Sequence, residues 1–387
     1  MSPENRIKKL EDITAFPSRD INEEVTEADY NIFLRIVSTE LTPEQKNIIV
    51  SPGPVFPNQK TLLAIHWHPE NIPMDLVRKR IECMYPNKEN ELIIPTQHNV
   101  LTSYGDYTGV EVDAFSKGFN QKVQLLLHFK SERVEKAGVL KQMLAHTFKY
   151  RSTQFYDFLN TITKPDEARL DTAARETGAG ASLIKFVQIY ANKLETMLNK
   201  YSDIVSPSMI KNKLLRNFFN ELRDEHGDNL IDRCQTFLAA VKVIVKANFS
   251  TRYFYRTSEI IEEARSLGAG IVIPHPEQFW PILLADYDVD GVEVWNPQSQ
   301  RYTEFLVSAL QSKNLLRSSK ERLLFFMGDD THLGEKIIPV TQQNSEKSSR
   351  EIGYQPAWDD MEIRKALILG DMNRDRVINE YRDRLGS

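Results

Sequence analysis

Short apolar runs alternate with helix-like segments along the first and last thirds of the chain. The runs have the length and β-branched content of strands, and they cover residues 61–66, 91–98, 109–113, 123–129, 270–275, 291–296 and 322–332. Apolar residues at helical spacing separate several of them, at residues 74–84, 279–284 and 302–312. This alternation predicts an α/β fold with parallel strands and helices outside them.

A long charged segment, residues 131–262, interrupts the pattern with helical periodicity. It is too long to be a simple connection between adjacent strands, so we predict a helical insert subdomain there. Residues 58–130 and 263–387 would then form one domain, preceded by an N-terminal extension at 1–57 with a helix at 27–41. Residues 334–356 are polar and predict a mobile loop, and residues 361–385 predict one amphipathic helix.

Composition places the chain among globular proteins, with 41% hydrophobic and 27% charged residues. The net charge of −5 gives no overall attraction to nucleic acid or to anionic membranes, although residues 131–262 carry +4 and the remainder −9. Cys83 and Cys234 are too few for a disulfide framework or a cysteine-based zinc site. Residues 1–10 lack the apolar core of a signal peptide, and no run of about 18 apolar residues occurs, so we expect a cytoplasmic protein without a membrane partner.

The histidines are not scattered at random. Six of the eight stand at or just after the C-terminal end of an apolar run: His66, His68, His98, His128, His275 and His332. Residues two apart on a strand point to the same side, and Asp330 precedes His332 as His66 precedes His68. In an α/β barrel all strand C-termini open onto one face. Imidazoles with carboxylates such as Glu111 suit Zn, Mn or Fe, and their number predicts two or three divalent ions.

In their order along the chain, these residues resemble the signature of the PHP (polymerase and histidinol phosphatase) family of metal-dependent phosphoesterases. The matching pieces are His66-Trp-His68, Thr96-Gln-His-Asn99, Gly109-Val-Glu111, Leu127-His128, Pro274-His275 and Gly328-Asp-Asp-Thr-His332. Residues 357–367 are also similar to the terminal helix of that family. The resemblance covers about residues 60–130 and 264–370.

The resemblance implies a distorted (β/α)7 TIM-like barrel of the PHP type, with a large helical insertion and up to three metals at the strand C-termini. The first ion would take His66, His68, Glu111 and Asp330. The second would take Glu111, His128 and His275, and the third His98 and His332.

Three features of the chain depart from the family pattern. The family places a further third-site histidine six residues after its His-x-His, and Met74 stands there, although Glu70 or Asp75 could substitute. Gln97 stands where the family commonly has Asp, and the 13-residue separation of His98 from Glu111 is too short for the usual helix.

The resemblance also implies hydrolysis of phosphate esters by a metal-activated water, without a protein nucleophile. Glu111, Asp330 and His275 are then the expected catalytic residues. Arg301 follows a strand and could bind a substrate phosphate, or it could be a solvated arginine on a helix face.

The substrate class is open, because the family includes phosphatases and nucleases. The basic balance of residues 131–262 favours nucleotides or nucleic acid. Cations mix with aromatic residues at 211–216 and 242–256, as on nucleic-acid surfaces, although solvated helix faces have the same composition. The alternative function is a degenerate barrel that docks a partner protein through the helical insert.

Four further polar residues have a functional and a structural interpretation. Glu293 and Asn296 could orient metal-bound imidazoles or make ordinary hydrogen bonds at a strand end. His146 and His226 lie in the predicted insert, where we expect them on the surface or in packing contacts.

Overall fold

The computed structural model describes residues 21–318, 321–340 and 343–386. Within them the chain divides into two compact units, residues 21–40 with 149–250 and residues 41–148 with 251–386. These boundaries differ from the predicted division, because helix Gly138–Phe148 belongs to the strand-bearing unit and helix Glu27–Val37 to the helical one. Residues 1–20 of the predicted extension and residues 341–342 of the predicted loop lie outside the described residues.

The helical unit consists of helices around an aromatic core. Its helices are Glu27–Val37, Tyr150–Thr163, Glu167–Thr177, Ala181–Lys200, Lys213–Asn220, Arg223–His226 and Asp228–Asn248. Phe33 shares one buried cluster with Phe186 and Phe219, which explains why the first helix joins this unit. Thr26 begins that helix with a capping box, since its hydroxyl accepts from Asp29 N–H and the Asp29 carboxylate accepts from Thr26 N–H. The predicted helical periodicity is confirmed here.

The second unit contains the strands. They are β1 (Thr61–Ala64), β2 (Trp67–His68), β3 (Asn90–Ile93), β4 (Thr102–Tyr104), β5 (Tyr107–Ser116), β6 (Gln121–Lys130), β7 (Gly270–Ile273), β8 (Gly291–Trp295), β9 (Leu324–Met327) and β10 (Thr331–His332). β1 pairs with β3, β2 pairs with β10, and the remaining strands form one sheet in the order β4-β5-β6-β7-β8-β9. The α/β class is confirmed, whereas the ladders of the described residues form open sheets and not a closed barrel.

Strand direction corrects one prediction. The pairs β1–β3, β2–β10, β7–β8 and β8–β9 are parallel as expected, but β4–β5, β5–β6 and β6–β7 are antiparallel. Only residues 117–120 join β5 to β6, and so short a connection permits a hairpin but not a parallel crossover. β6 therefore runs opposite to β5 and β7, and His128 near its C-terminal end pairs with Gly270 at the start of β7.

The helices of this unit are Pro43–Val50, Met74–Met84, Ser131–Val134, Gly138–Phe148, Thr257–Ser266, Thr303–Asn314, Ser345–Ser348, Met361–Leu369 and Arg374–Gly386. The single terminal helix predicted at 361–385 is two helices, because the chain turns at Gly370 and at Asp371, whose φ is +56°. None of the described helices is long and apolar enough to cross a membrane.

The predicted mobile loop at 334–356 also differs from expectation. It contains the short helix Ser345–Ser348, and both Arg350 and Glu351 are buried. Glu351 forms an ion pair with Arg80 at 2.6 Å and another with Lys336 at 2.8 Å. Three of the charges in this segment, Lys336, Arg350 and Glu351, are therefore paired inside the protein.

Candidate metal centre

Five of the six strand-end histidines meet two carboxylates in a buried cluster, here called the histidine–carboxylate cluster: His66, His68, His98, Glu111, His275, Asp330 and His332. Within it, three groups of donor atoms each lie within 4.8 Å of one another. They are His68 with His98 and His332, His66 with His68 and Asp330, and His66 with Glu111 and His275. The predicted convergence of these residues is thus observed.

The strands explain how distant residues meet. His66 and His68 flank Trp67 at the end of the β1–β2 segment, and β10 pairs with β2 so that His332 lies opposite His68. Asp330 N–H donates to the carbonyl of His66 at 2.9 Å. This hydrogen bond places Asp330 and His332 beside His66 and His68.

Glu111 divides the cluster into two sides. Its Oε1 lies 3.4 Å from His275 Nε2 and 4.0 Å from His66 Nε2. Its Oε2 lies 2.5 Å from His98 Nδ1 and 3.6 Å from His68 Nε2. Each oxygen therefore faces a different pair of imidazoles, as a carboxylate between two cations would.

The two carboxylate oxygens of Asp330 also have different surroundings. Its Oδ1 lies 3.4 Å from the Nε2 atoms of His68 and His332, and 3.6 Å from His66 Nε2. Its Oδ2 points away from these rings and accepts hydrogen bonds from Gln298 Nε2 at 2.6 Å and from Arg350 at 2.7 Å. One oxygen is thus available to a cation while the other is held in place.

The donor set fits a divalent metal. Among the described residues, His66 Nε2 and both ring nitrogens of His68 are buried without a hydrogen bond. A buried polar atom left in this state costs about 1–3 kcal/mol, which a bound cation would offset. Imidazole nitrogens and carboxylate oxygens without thiolates suit Zn, Mn or Fe.

Electrostatics in the cluster keep its carboxylates ionised. Burial alone would raise the pKa of Glu111, but His98, His275 and His68 hold it well below its usual range. Burial lowers the pKa of His66, yet Glu293, Asp330 and Glu111 outweigh burial and raise it to about 10. The cluster thus concentrates negative charge that attracts either protons or metal ions.

Backbone conformation marks the same region. Among the described non-glycine residues, six have a positive φ, and four of these lie in or beside the cluster: Glu70, Asn99, His275 and Asp330, at +53°, +56°, +26° and +46°. Asparagine tolerates the left-handed region, but at the other three residues such conformations cost about 1–3 kcal/mol each and are found mainly at functional sites. This strain supports a functional role for the cluster.

His128 is the predicted ligand that the structure does not bring into the cluster. Its Nε2 lies 3.0 Å from the carbonyl of Ile65, and its Nδ1 lies 2.7 Å from the hydroxyl of Tyr381. Because a carbonyl only accepts, Nε2 carries the proton and Nδ1 accepts from Tyr381. The cause is the reversed direction of β6, which sets His128 beside the start of β7, whereas His275 follows its end.

The other predicted residues lie apart from the cluster. Arg301 is exposed, with its guanidinium 4.7 Å from the ring centroid of Tyr302. His146 is exposed and stacks on Tyr253, and His226 contacts the Tyr190 hydroxyl at 2.6 Å inside the helical unit. The surface and packing roles expected of both histidines are confirmed.

Arg350 and Gln298 are contacts of Asp330 that sequence reasoning missed. Arg350 stands in a polar segment 20 residues after Asp330. No local pattern distinguishes it from the solvated charges around it.

The site can be compared with known proteins. No family model matches the chain, and no curated protein matches it. A solved structure that resembles it is a protein from Bifidobacterium adolescentis provisionally named a metal-dependent phosphoesterase, with 14% identity and a TM-score of 0.38. The match covers 81% of this chain and 97% of that one. A likeness of this level carries no argument about function, so the functional case depends on the histidine–carboxylate cluster.

Proposed function

We propose that the chain is a metal-dependent phosphoesterase that hydrolyses phosphate esters of nucleotides or nucleic acids with a metal-activated water. One observation carries the proposal: Glu111 presents a separate oxygen to each of two histidine pairs, with Asp330 beside both. Two ions about 3.5–4 Å apart are the usual arrangement in phosphatases and nucleases. Bound there, such ions would polarise phosphoryl oxygens and lower the pKa of a water molecule.

The ligand atoms form two sets, one for each of two ions. His66, His275 and Glu111 Oε1 would hold one, and His68, His98 and Glu111 Oε2 the other. Asp330 Oδ1 faces both sides. Glu111, Asp330 and His275 are the proposed catalytic residues because each would supply a ligand atom to the pair of metal ions. Zn, Mn and Fe all fit these ligands, and a third ion, as the family resemblance implies, would have to use His332 and its neighbours.

The fold we propose is a distorted PHP-type barrel with the helical unit as an insertion. Backbone hydrogen bonds link the separate sheets in the order that such a barrel requires. Thr96 N–H donates to Trp67 O at 2.8 Å, Glu111 N–H to Gln97 O at 3.3 Å, and Asp330 N–H to His66 O at 2.9 Å. These bonds support a ring of strands whose ends face the cluster.

The proposal is tested by metal analysis and by hydrolysis of two generic substrates. We expect the purified chain to bind Zn, Mn or Fe, and to hydrolyse p-nitrophenyl phosphate if it is a phosphatase or bis-p-nitrophenyl phosphate if it is a diesterase. The double variant His66→Ala with His68→Ala should lose both metal and activity. The exposed His146→Ala is the matched control and should keep both. A chain without bound metal and without hydrolysis in supplied Zn²⁺, Mn²⁺ or Fe²⁺ would refute the proposal.

Substrate class needs a separate experiment. If the substrate is nucleic acid held by the helical unit, binding should weaken steeply with salt and with charge reversal at Lys211, Lys213 and Arg216. A phosphatase of small molecules would be indifferent to these three changes.

The absence of His128 from the cluster favours one alternative, a degenerate barrel that serves as a docking scaffold. In that case the double histidine variant would still bind the partner and would have no activity to lose.

A further inference from the structure

Glu293 lies behind the histidine–carboxylate cluster, on β8, and connects two of its members. Its Oε1 is 2.6 Å from His66 Nδ1, and its Oε2 accepts a hydrogen bond from His275 N–H at 2.8 Å. Neither the Glu293 nor the His66 side chain is exposed to solvent. One carboxylate thus contacts both His66, which lies just after β1, and His275, which lies just after β7.

This contact determines which nitrogen of His66 faces the cluster. The two ring nitrogens point in different directions, so a hydrogen bond from Nδ1–H to Glu293 leaves Nε2 directed at Asp330 and Glu111, at 3.6 and 4.0 Å. A carboxylate behind a ligating imidazole also raises its basicity as a ligand. Glutamine could not replace Glu293 fully, because its amide nitrogen would face one of the two donors.

Gly328 provides the space that Glu293 occupies. A Cβ built at residue 328 would lie 1.9 Å from Glu293 Oε1 and 2.8 Å from Oε2, far inside van der Waals contact. Gly328 follows β9 and stands two residues before Asp330. Any side chain there would push the carboxylate away from His66.

Glu70 repeats the arrangement on the other side of Asp330. Its Oε1 lies 3.4 Å from His332 Nδ1, while His332 Nε2 lies 3.4 Å from Asp330 Oδ1. A Cβ at Gly334 would lie 1.7 Å from Glu70 Oε2. Two glycines therefore bracket residues 329–333, and each gives room to one carboxylate that contacts a histidine from behind.

We propose that Glu293 and Glu70 are positioning residues that direct the Nε2 atoms of His66 and His332 into the cluster, and that Gly328 and Gly334 are required because they leave space for these carboxylates. The inference rests on the proposed metal centre and adds to it the residues that set ligand orientation. Glu293 has the larger role, since its contact is shorter and fully buried, whereas Glu70 is partly exposed.

The first test measures Co²⁺ binding to the full chain by calorimetry, together with the visible absorption of bound Co²⁺. Glu293→Met should weaken binding by about 100-fold and change the spectrum, because His66 is no longer held as a ligand. Glu293→Gln should lose about tenfold, since its amide oxygen can still accept from His66 Nδ1–H. Glu70→Met should lose less than Glu293→Met. A purely structural role for Glu293 would change thermal stability and leave the Co²⁺ spectrum of the folded variant unchanged.

The second test uses the glycine. Gly328→Ala should weaken Co²⁺ binding as Glu293→Met does, and adding it to Glu293→Met should cause no further loss, because both changes remove one contact. Gly270→Ala is the control, since its Cβ would lie 2.4 Å from the Tyr381 hydroxyl oxygen and overpacks the same sheet beside His128. It should lower thermal stability while Co²⁺ affinity stays at the wild-type value.

The outcomes separate this inference from the proposed function. Wild-type Co²⁺ affinity and spectrum in Glu293→Met and in Gly328→Ala would overturn the inference alone. If either variant does not fold, Glu293→Gln decides, because wild-type affinity there would overturn the inference and a tenfold loss would support it. A wild-type chain that binds no Co²⁺ would overturn the inference and the proposed metal centre together.

Discussion

Arg350 donates to Oδ2 of Asp330 at 2.7 Å and to the Asp330 carbonyl at 3.2 Å, from a position where its side chain is only 3% exposed. Its other terminal nitrogen binds Glu346 at 3.0 Å. The polar segment after His332 therefore reaches back and fixes the outer oxygen of a carboxylate whose inner oxygen faces three histidines. Orientation of Asp330 depends on a residue that lies outside every motif.

Arg350→Met should lower the free energy of unfolding by about 1–3 kcal/mol, because Oδ2 of the buried Asp330 carboxylate loses its charged hydrogen-bond donor and keeps only Gln298. Urea denaturation in the presence of a chelator measures this loss without a contribution from metal. Arg317→Met is the control, since Arg317 pairs with the exposed Asp286 and such surface pairs contribute less than about 1 kcal/mol. Equal losses in the two variants would show that Asp330 does not depend on Arg350.

A matched pair of histidine variants separates structure from metal binding. His128→Leu removes the imidazole ring and leaves the Ile65 carbonyl and the Tyr381 hydroxyl without a hydrogen-bond partner. Each unpaired group should lower the free energy of unfolding by about 1–3 kcal/mol. The metal content of this variant should equal that of the wild type. His275→Leu should reduce metal content with a smaller loss of stability. Metal analysis and thermal unfolding of both variants test this. Loss of metal from a folded His128→Leu variant would show that His128 is a metal ligand.

His128 also predicts a pH dependence of stability. Burial lowers its pKa from 6.5 to about 3, so the unfolded chain binds a proton below pH 6.5 that the folded chain does not. The stabilisation from neutral His128 is complete above pH 6.5 and falls as pH decreases toward 3. Between pH 6.5 and 5 the loss is about 2 kcal/mol. The difference in unfolding free energy between wild type and His128→Leu should shrink by this amount, and a constant difference across that range would contradict the assignment.

The parts of the site that sequence could predict are those that local geometry determines. His66 with His68, and Asp330 with His332, are spaced two residues apart on extended backbone, so their common direction follows from the strand period. The position of each pair at a strand end follows from the apolar run before it. These residues do meet, and Glu111 lies between them.

The parts that could not be predicted depend on pairing between distant segments. The short connection to β5 was a signal that β6 runs antiparallel to it, but the pairing of His128 with Gly270 joins segments that are distant in the sequence. Arg350 and Glu351 have the composition of a solvated loop, and only their partners Asp330 and Arg80 make them buried. The contact between Glu293 and His66 likewise joins residues that are 227 positions apart in the sequence.

Asn99 provides a last prediction, because it holds His98 against Glu111. Its N–H donates to Glu111 O at 2.7 Å, its Nδ2 donates to Asp113 Oδ2 at 2.7 Å, and its Oδ1 accepts from Asp113 N–H at 3.0 Å. Its φ of +56° is a conformation that asparagine and glycine tolerate and alanine does not. Backbone strain and side-chain hydrogen bonds can therefore be separated by two substitutions.

Asn99→Gly loses only the side-chain hydrogen bonds, whereas Asn99→Ala loses them and adds about 1–2 kcal/mol of left-handed strain. Both should weaken Co²⁺ binding, because His98 is no longer held beside Glu111, but Asn99→Ala should be the less stable in urea. If the two variants are equally stable, residue 99 is not strained in the folded chain. If both bind Co²⁺ as the wild type does, His98 is not a ligand, and the side of the cluster at Glu111 Oε2 must hold its ion with His68 and Asp330.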